Sequence, residues 1–110
     1  MVFLSKECEA YLDNLTIALF DTTSSKNKYF GFYSQAEIYV NRLREIASTK
    51  VYTASKKVAP PKYCKKYGSS LKYFYYKHNK QTTWYFYFLE QNDNYIIQHI
   101  TNNHQSVRGI

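Results

Sequence analysis

The chain has 110 residues and a net charge of +7, with 45% hydrophobic and 19% aromatic residues. That length supports one hydrophobic core and one domain, 1–110, and leaves no room for a second. Met1-Val-Phe-Leu is too short for the apolar segment of a signal peptide, no stretch approaches a membrane span, and Cys8 and Cys64 match neither a disulfide framework nor a zinc spacing, so a reducing cytoplasm is the expected setting.

In chain order, the residues ahead of Ser5 can form a short strand. Ser5 is an N-cap candidate, and Cys8, Leu12, Leu15 and Leu19 follow at the spacing of an amphipathic helix. Glu7 and Glu9 fall in its first turn, where the helix dipole favours negative charge. Residues 21–33 read as a loop. Ser34-Gln-Ala-Glu37 has the form of a capping box, with Tyr33 and Ile38 placed for a hydrophobic staple. Ala36, Val40, Leu43, Ala47 and Val51 continue at helical spacing, which predicts a second helix from Ser34 to about Thr49 that Pro60-Pro61 must end at the latest. Lys62 to Ser70 reads as a basic loop with Gly68 as its turn residue.

Three strands follow, Leu71–Lys77, Thr82–Glu90 and Asn94–Thr101, rich in tyrosine, phenylalanine and isoleucine and joined by loops short enough to force antiparallel neighbours. Alternation puts Lys72, Phe74 and Tyr76 on one face of the first strand, and Tyr73, Tyr75 and Lys77 on the other. In the second strand it separates Trp84, Phe86 and Phe88, read as core, from Tyr85, Tyr87 and Leu89. The expected architecture is α+β: two N-terminal helices on one face of a small antiparallel sheet of three or four strands, the other face left for a partner. The tail after Thr101 has no periodicity.

The charge is concentrated. Residues 26–80 hold thirteen basic residues against only Glu37 and Glu45, whereas 1–25 and 81–110 are each net acidic. Such a block points to a polyanionic partner, nucleic acid first. Tyrosine makes up 13 of the 21 aromatics, and a tyrosine-bearing sheet face edged with lysine suits stacked bases and held phosphates. Lys62, Lys65, Lys66 and Lys80, with His78 at a hairpin, are the candidate nucleic-acid contacts. Of the three imidazoles, His99 reads as a packing residue inside a strand, and His104, just past the last strand, as the best placed for proton transfer. No metal-ligand spacing, serine-nucleophile motif or glycine-rich phosphate loop is present.

Tyr67-Gly68, Lys72-Tyr-Phe-Tyr-Tyr-Lys77, Asn79-Lys-Gln-Thr-Thr-Trp84 and Ile100-Thr-Asn-Asn-His104, behind a two-helix front, resemble toxins of the RelE/ParE superfamily from bacterial toxin–antitoxin modules. The resemblance implies two helices on one face of a small sheet and a basic, concave opposite face that holds the active site in RNA-cleaving members. It implies a ribosome-dependent endoribonuclease acting on messenger RNA by 2′-hydroxyl attack, without metal or cofactor. It also implies a cognate antitoxin that covers the active face. Carried over residue by residue, Lys72 and Lys77 grip phosphate, His104 transfers a proton, and Tyr76 and Lys80 assist. The arginine usual at the start of the next strand is replaced by Thr82-Thr83-Trp84, and none follows the last strand before Arg108. Two alternatives stand beside this reading: a non-nuclease toxin that inhibits DNA gyrase, and a non-toxic nucleic-acid-binding domain of the same fold.

Overall fold

A computed structural model describes residues 1–20 and 32–103. Residues 21–31 of the expected loop, and the tail from His104 onward with Arg108, lie outside the described residues. Among the described residues five strands form one sheet: β1 (Val2–Leu4), β2 (Lys57–Val58), β3 (Lys72–Lys77), β4 (Thr83–Gln91) and β5 (Asn94–Asn102). Their order across the sheet is β1-β5-β4-β3-β2. β1 runs parallel to β5 and the other pairs are antiparallel, so the sheet is mixed and wider than the three or four antiparallel strands expected. Among the described residues three helices accompany it: α1 (Lys6–Phe20), α2 (Tyr33–Lys50) and α3 (Pro61–Tyr67).

The start of α1 follows from Ser5. Its Oγ accepts from the Cys8 N–H at 3.1 Å, the cap expected of it, while its own N–H donates to the Ile97 carbonyl at 2.9 Å. The helix is thereby capped and fixed to β5 by a single residue. Cys8, Leu12, Leu15 and Leu19 are all buried, as are Ala36, Val40, Leu43, Ile46 and Ala47 of α2. Together with Phe74, Trp84, Phe86, Phe88, Ile97 and Ile100 they make one continuous core between the helix pair and the sheet. Each such large side chain contributes about 1.5–3 kcal/mol on burial. Phe74 stacks on Phe86 with centroids 4.8 Å apart, and Trp84 Nε1 donates to Tyr39 Oη at 3.0 Å.

The entry to α2 differs from the expected capping box. The helix begins at Tyr33 with Phe32 as N-cap, and Gln35 Oε1 accepts from the Phe32 N–H at 3.3 Å. Ser34 and Glu37 therefore sit two positions too far in to cap it. The staple does not form either, because Ile38 is 70% exposed and Tyr33 instead packs edge-on against Phe20 at 5.5 Å.

A second departure concerns Pro60-Pro61. α2 ends at Lys50, well before them, and Pro61 opens α3, at the one helical position where a missing N–H costs nothing. Gly68 closes α3 at φ 131°, donating its N–H to the Cys64 carbonyl at 2.8 Å. That backbone region is open essentially to glycine alone. The stretch expected to be a basic loop is thus largely helical, and it packs on the sheet face opposite α1 and α2, where Ala59, Leu71 and Tyr87 are buried. Helices cover both faces, one fully and the other in part.

Asn92 (φ 51°) and Asp93 (φ 67°) make the two-residue turn between β4 and β5, a conformation that these short polar side chains tolerate. Tyr87 pairs with His99 but Phe88 with Ile97, so Gln98 is an extra residue in β5. This bulge allows Ile97 and Ile100 to face the core together while His99 faces the other side. No described helix is long and apolar enough to cross a membrane.

Candidate nucleic-acid interface

The face opposite α1 and α2 is paved with rings. Tyr75, Tyr85, Tyr73, Tyr87 and His99 form a chain of neighbours across three strands, with successive centroids at 6.4, 6.2, 5.4 and 5.7 Å. Their common side follows from strand alternation on β3 and β4 and from the Gln98 bulge on β5. α3 covers one end of this pavement. Tyr63 lies 4.5 Å from Tyr87 and 5.4 Å from His99, and Tyr67 stacks on His99 at 5.9 Å. The Tyr87 hydroxyl is pushed well above the ordinary tyrosine value, by burial first and then by the neighbouring tyrosines, so it stays protonated.

Where α3 begins, a groove of about 340 Å³ separates Pro60, Lys62 and Tyr63 from Tyr85, Tyr87, Thr101 and Asn102. The Lys62 ammonium sits 5.0 Å from the Tyr63 ring centroid. One wall thus carries a cation and an aromatic, and the floor offers two tyrosines, a hydroxyl and an amide. A flat ring with an attached anion fits such a lining.

At the far end of α3, Glu7 reaches round from α1. Its Oε1 accepts from Tyr67 Oη at 2.9 Å and from Lys66 Nζ at 3.0 Å. Those two bonds, Lys66 first, hold the carboxyl below its ordinary value of 4.5. His99 is held below 6.5, chiefly by burial, and is therefore neutral at pH 7. Its surroundings suit a packing residue of the face.

The carried-over residues divide between places. Lys72 and Tyr76 share the helix-covered face with Phe74, and Tyr76 packs against the main core. Lys77 is exposed on the tyrosine face at the other end of β3, roughly 16 Å from Lys72 at the rise of a strand. These three therefore do not converge on one phosphate. His78 is exposed, with its ring edge-on to Tyr39 of α2 at 5.2 Å. Lys80 rides the β3–β4 turn, which Asn79 shapes by accepting from the Gln81 and Thr82 N–H groups at 2.9 and 2.8 Å. Lys62 lines the groove, Lys65 is exposed on α3, and Lys66 is bound to Glu7. His104 lies outside the described residues, but the residue before it is fixed. Asn103 accepts from the Thr83 N–H at 3.0 Å and donates to the Gln81 carbonyl at 2.8 Å, beside the turn that carries Lys80 and follows Lys77.

Sequence reasoning missed Tyr63, Tyr67 and Glu7. Tyr63 and Tyr67 stand four apart behind Pro61, the spacing of one helix face, and that was the available signal. Glu7 was read only as a helix-dipole partner. Among the described residues, no three His, Cys, Asp or Glu side chains converge where a metal ion would sit. Comparison with protein-family models, curated proteins and solved structures finds no match.

Proposed function

We propose that the chain is a toxin of the RelE/ParE kind that takes single-stranded RNA on its tyrosine-bearing sheet face and cuts messenger RNA on the ribosome. The groove supports this most: Lys62 and Tyr63 stand opposite Tyr85 and Tyr87, a cation beside aromatic faces, continuous with exposed Tyr75 and Lys77. Bases stack on such rings for about 1–3 kcal/mol each, and lysines hold the intervening phosphates. The packing of α1 and α2 together on one face of the sheet also fits what the resemblance implies.

In this reading a ribose 2′-hydroxyl attacks the adjacent phosphorus, a cyclic phosphate forms, and the 5′-oxygen leaves with a proton. His104 transfers a proton, a role worth about 10²–10⁴ in rate, and Lys77, with Lys62 nearer the groove, stabilises phosphate charge. Lys72 and Tyr76, on the helix-covered face, are assigned no part at that phosphate. The proposed partners are a cognate antitoxin, messenger RNA and the ribosome, in the cytoplasm. Lysine supplies charge but not arginine's two-pronged fork. That lack, with the separation of Lys72 from Lys77, favours as second reading an RNA-binding domain of this fold that does not cut.

Induction of the chain alone, with the 5′ ends of cellular messages mapped, tests the proposal. New ends within translated frames, lost in His104→Ala and reduced in Lys77→Ala, are expected. Growth arrest that survives both changes with no new ends removes the nuclease reading, and a supercoiling assay then asks whether gyrase is the target.

A further inference from the structure

The tyrosine face runs in rows across β3, β4 and β5. Tyr73, Tyr87 and His99 are aligned in register, and Tyr75, Tyr85 and Thr101 follow. In the next row Lys77 pairs with Thr83, and Asn103 bonds to Thr83 from the other side. Two strand spacings put the backbones of Lys77 and Asn103 roughly 10 Å apart. Asn103 completes this row through its side chain. Its N–H donates to the Thr83 carbonyl at 3.2 Å, as the next rung of an antiparallel ladder requires. The reciprocal bond is made by Oδ1, which accepts from the Thr83 N–H at 3.0 Å in place of a main-chain carbonyl. Nδ2 donates in turn to the Gln81 carbonyl at 2.8 Å.

From the other side, Asn79 Oδ1 accepts from the Gln81 and Thr82 N–H groups, and the Thr82 carbonyl accepts from the His78 and Asn79 N–H groups at 2.9 and 3.3 Å. Every main-chain N–H and C=O from Gln81 to Thr83 is therefore held. The turn that bears Lys80 becomes one rigid unit with the end of β5. Asn103 and Gln81 are exposed, so water can replace these bonds, and they add little to global stability. What they fix is geometry. We propose that Asn103 is a positioning residue for the phosphodiester step, whose amide locks the end of β5 to the Lys80 turn so that Lys77, Lys80 and the residue after Asn103 meet one phosphate. The inference rests on the RNA-cleaving reading above, in which His104, next in the chain, transfers the proton. Only an amide meets both needs of the site. An aspartate keeps the bond from Thr83 but turns a second oxygen on the Gln81 carbonyl, and an alanine keeps neither bond.

The test is cleavage of a defined message by the whole chain in a purified translation system, with the rate followed against the concentration of programmed ribosomes. Asn103→Ala and Asn103→Asp are each expected to lower kcat about tenfold or more, the size of effect that a misplacement of about 1 Å produces. KM is expected to change less than about twofold, because the tyrosine rows that hold the RNA are untouched. The denaturation midpoint is expected to stay nearly unmoved. In a Lys77→Ala background the further loss from Asn103→Ala is expected to shrink to less than about threefold, since residues that act as a unit are not additive. An equal loss in both backgrounds, a change in KM alone, or a loss that follows a fall in the denaturation midpoint overturns the proposal. So does full activity in Asn103→Asp, which would show that the Gln81 bond is not needed. A parent chain that cuts no message removes the nuclease reading and this inference with it, whereas a parent and Asn103→Ala that cut equally well remove the inference alone.

Discussion

On the α1–α2 side of the sheet, Phe74, Trp84, Phe86 and Phe88 are sealed from solvent, whereas on the other side Tyr75 keeps about half of its surface exposed. The same two strands supply both sets. β3 turns Phe74 inward and Tyr73 and Tyr75 outward, and β4 turns Trp84, Phe86 and Phe88 inward and Tyr85 and Tyr87 outward. Phenylalanine and tyrosine differ by a hydroxyl that must find a partner or water, and on these two strands every phenylalanine turns inward while Tyr76 alone of the tyrosines shares that side. One face is made for packing, and the other is made of large rings that tolerate water. α3 marks the border, since it buries Tyr87 and leaves Tyr75 open.

The contrast can be broken from either side, with the largest effect in the dry core. Phe86→Ala is expected to cost about 3–5 kcal/mol in chemical denaturation, while Tyr75→Ala on the open face costs less than about 1 kcal/mol. Similar costs for the two would mean that both faces are packed alike. Next comes the border. Gly68→Ala places a side chain at φ 131°, and because the new Cβ would meet only Leu89 at an ordinary 3.7 Å, the loss of about 1–3 kcal/mol comes from the backbone alone. Faster amide exchange through α3 checks it.

Smaller still is the effect of pH on His99. Its folded value lies below 6.5, so the unfolded chain takes up the proton first as the solution is acidified. The stabilisation is complete above about pH 6.5 and is lost as pH falls through the folded value. Denaturation midpoints measured from pH 7.5 to 5.5, above the range where Glu7 titrates, are expected to decline in the parent chain and to flatten in His99→Gln. Glu7→Gln is expected to do least, under about 1 kcal/mol, because Glu7 and Lys66 are both more than half exposed. A large loss there would mean that the Glu7 bonds hold α3 in place more firmly than its tyrosines do.

Much of this was legible in the residues. The period of Cys8, Leu12, Leu15 and Leu19 and the alternation around Phe86 are local patterns fixed by what must be buried, and α2, β3, β4 and β5 stand within about a residue of their expected bounds. What escaped was set by partners far away in sequence. Pro60-Pro61 reads as a helix stop, yet Pro61 starts a helix because Tyr63 and Tyr67 find the sheet behind it. The parallel pairing of β1 with β5 depends on Ser5 meeting Ile97, and no local pattern encodes that. For the site, alternation alone already put Lys72 and Tyr76 opposite Lys77, whereas the groove beside Lys62 exists only because α3 does.

The central claim is that the tyrosine face, and not the helix pair, meets RNA. The most direct measurement is an NMR titration of the isotope-labelled chain with a short single-stranded RNA. The account predicts shifts concentrated at Lys62, Tyr63, Tyr85, Tyr87 and Thr101, with α1 and the outer surface of α2 unmoved, and binding weakened by about 1–3 kcal/mol in Tyr85→Ala. Shifts confined to the helix pair, or none at saturating RNA, would contradict it.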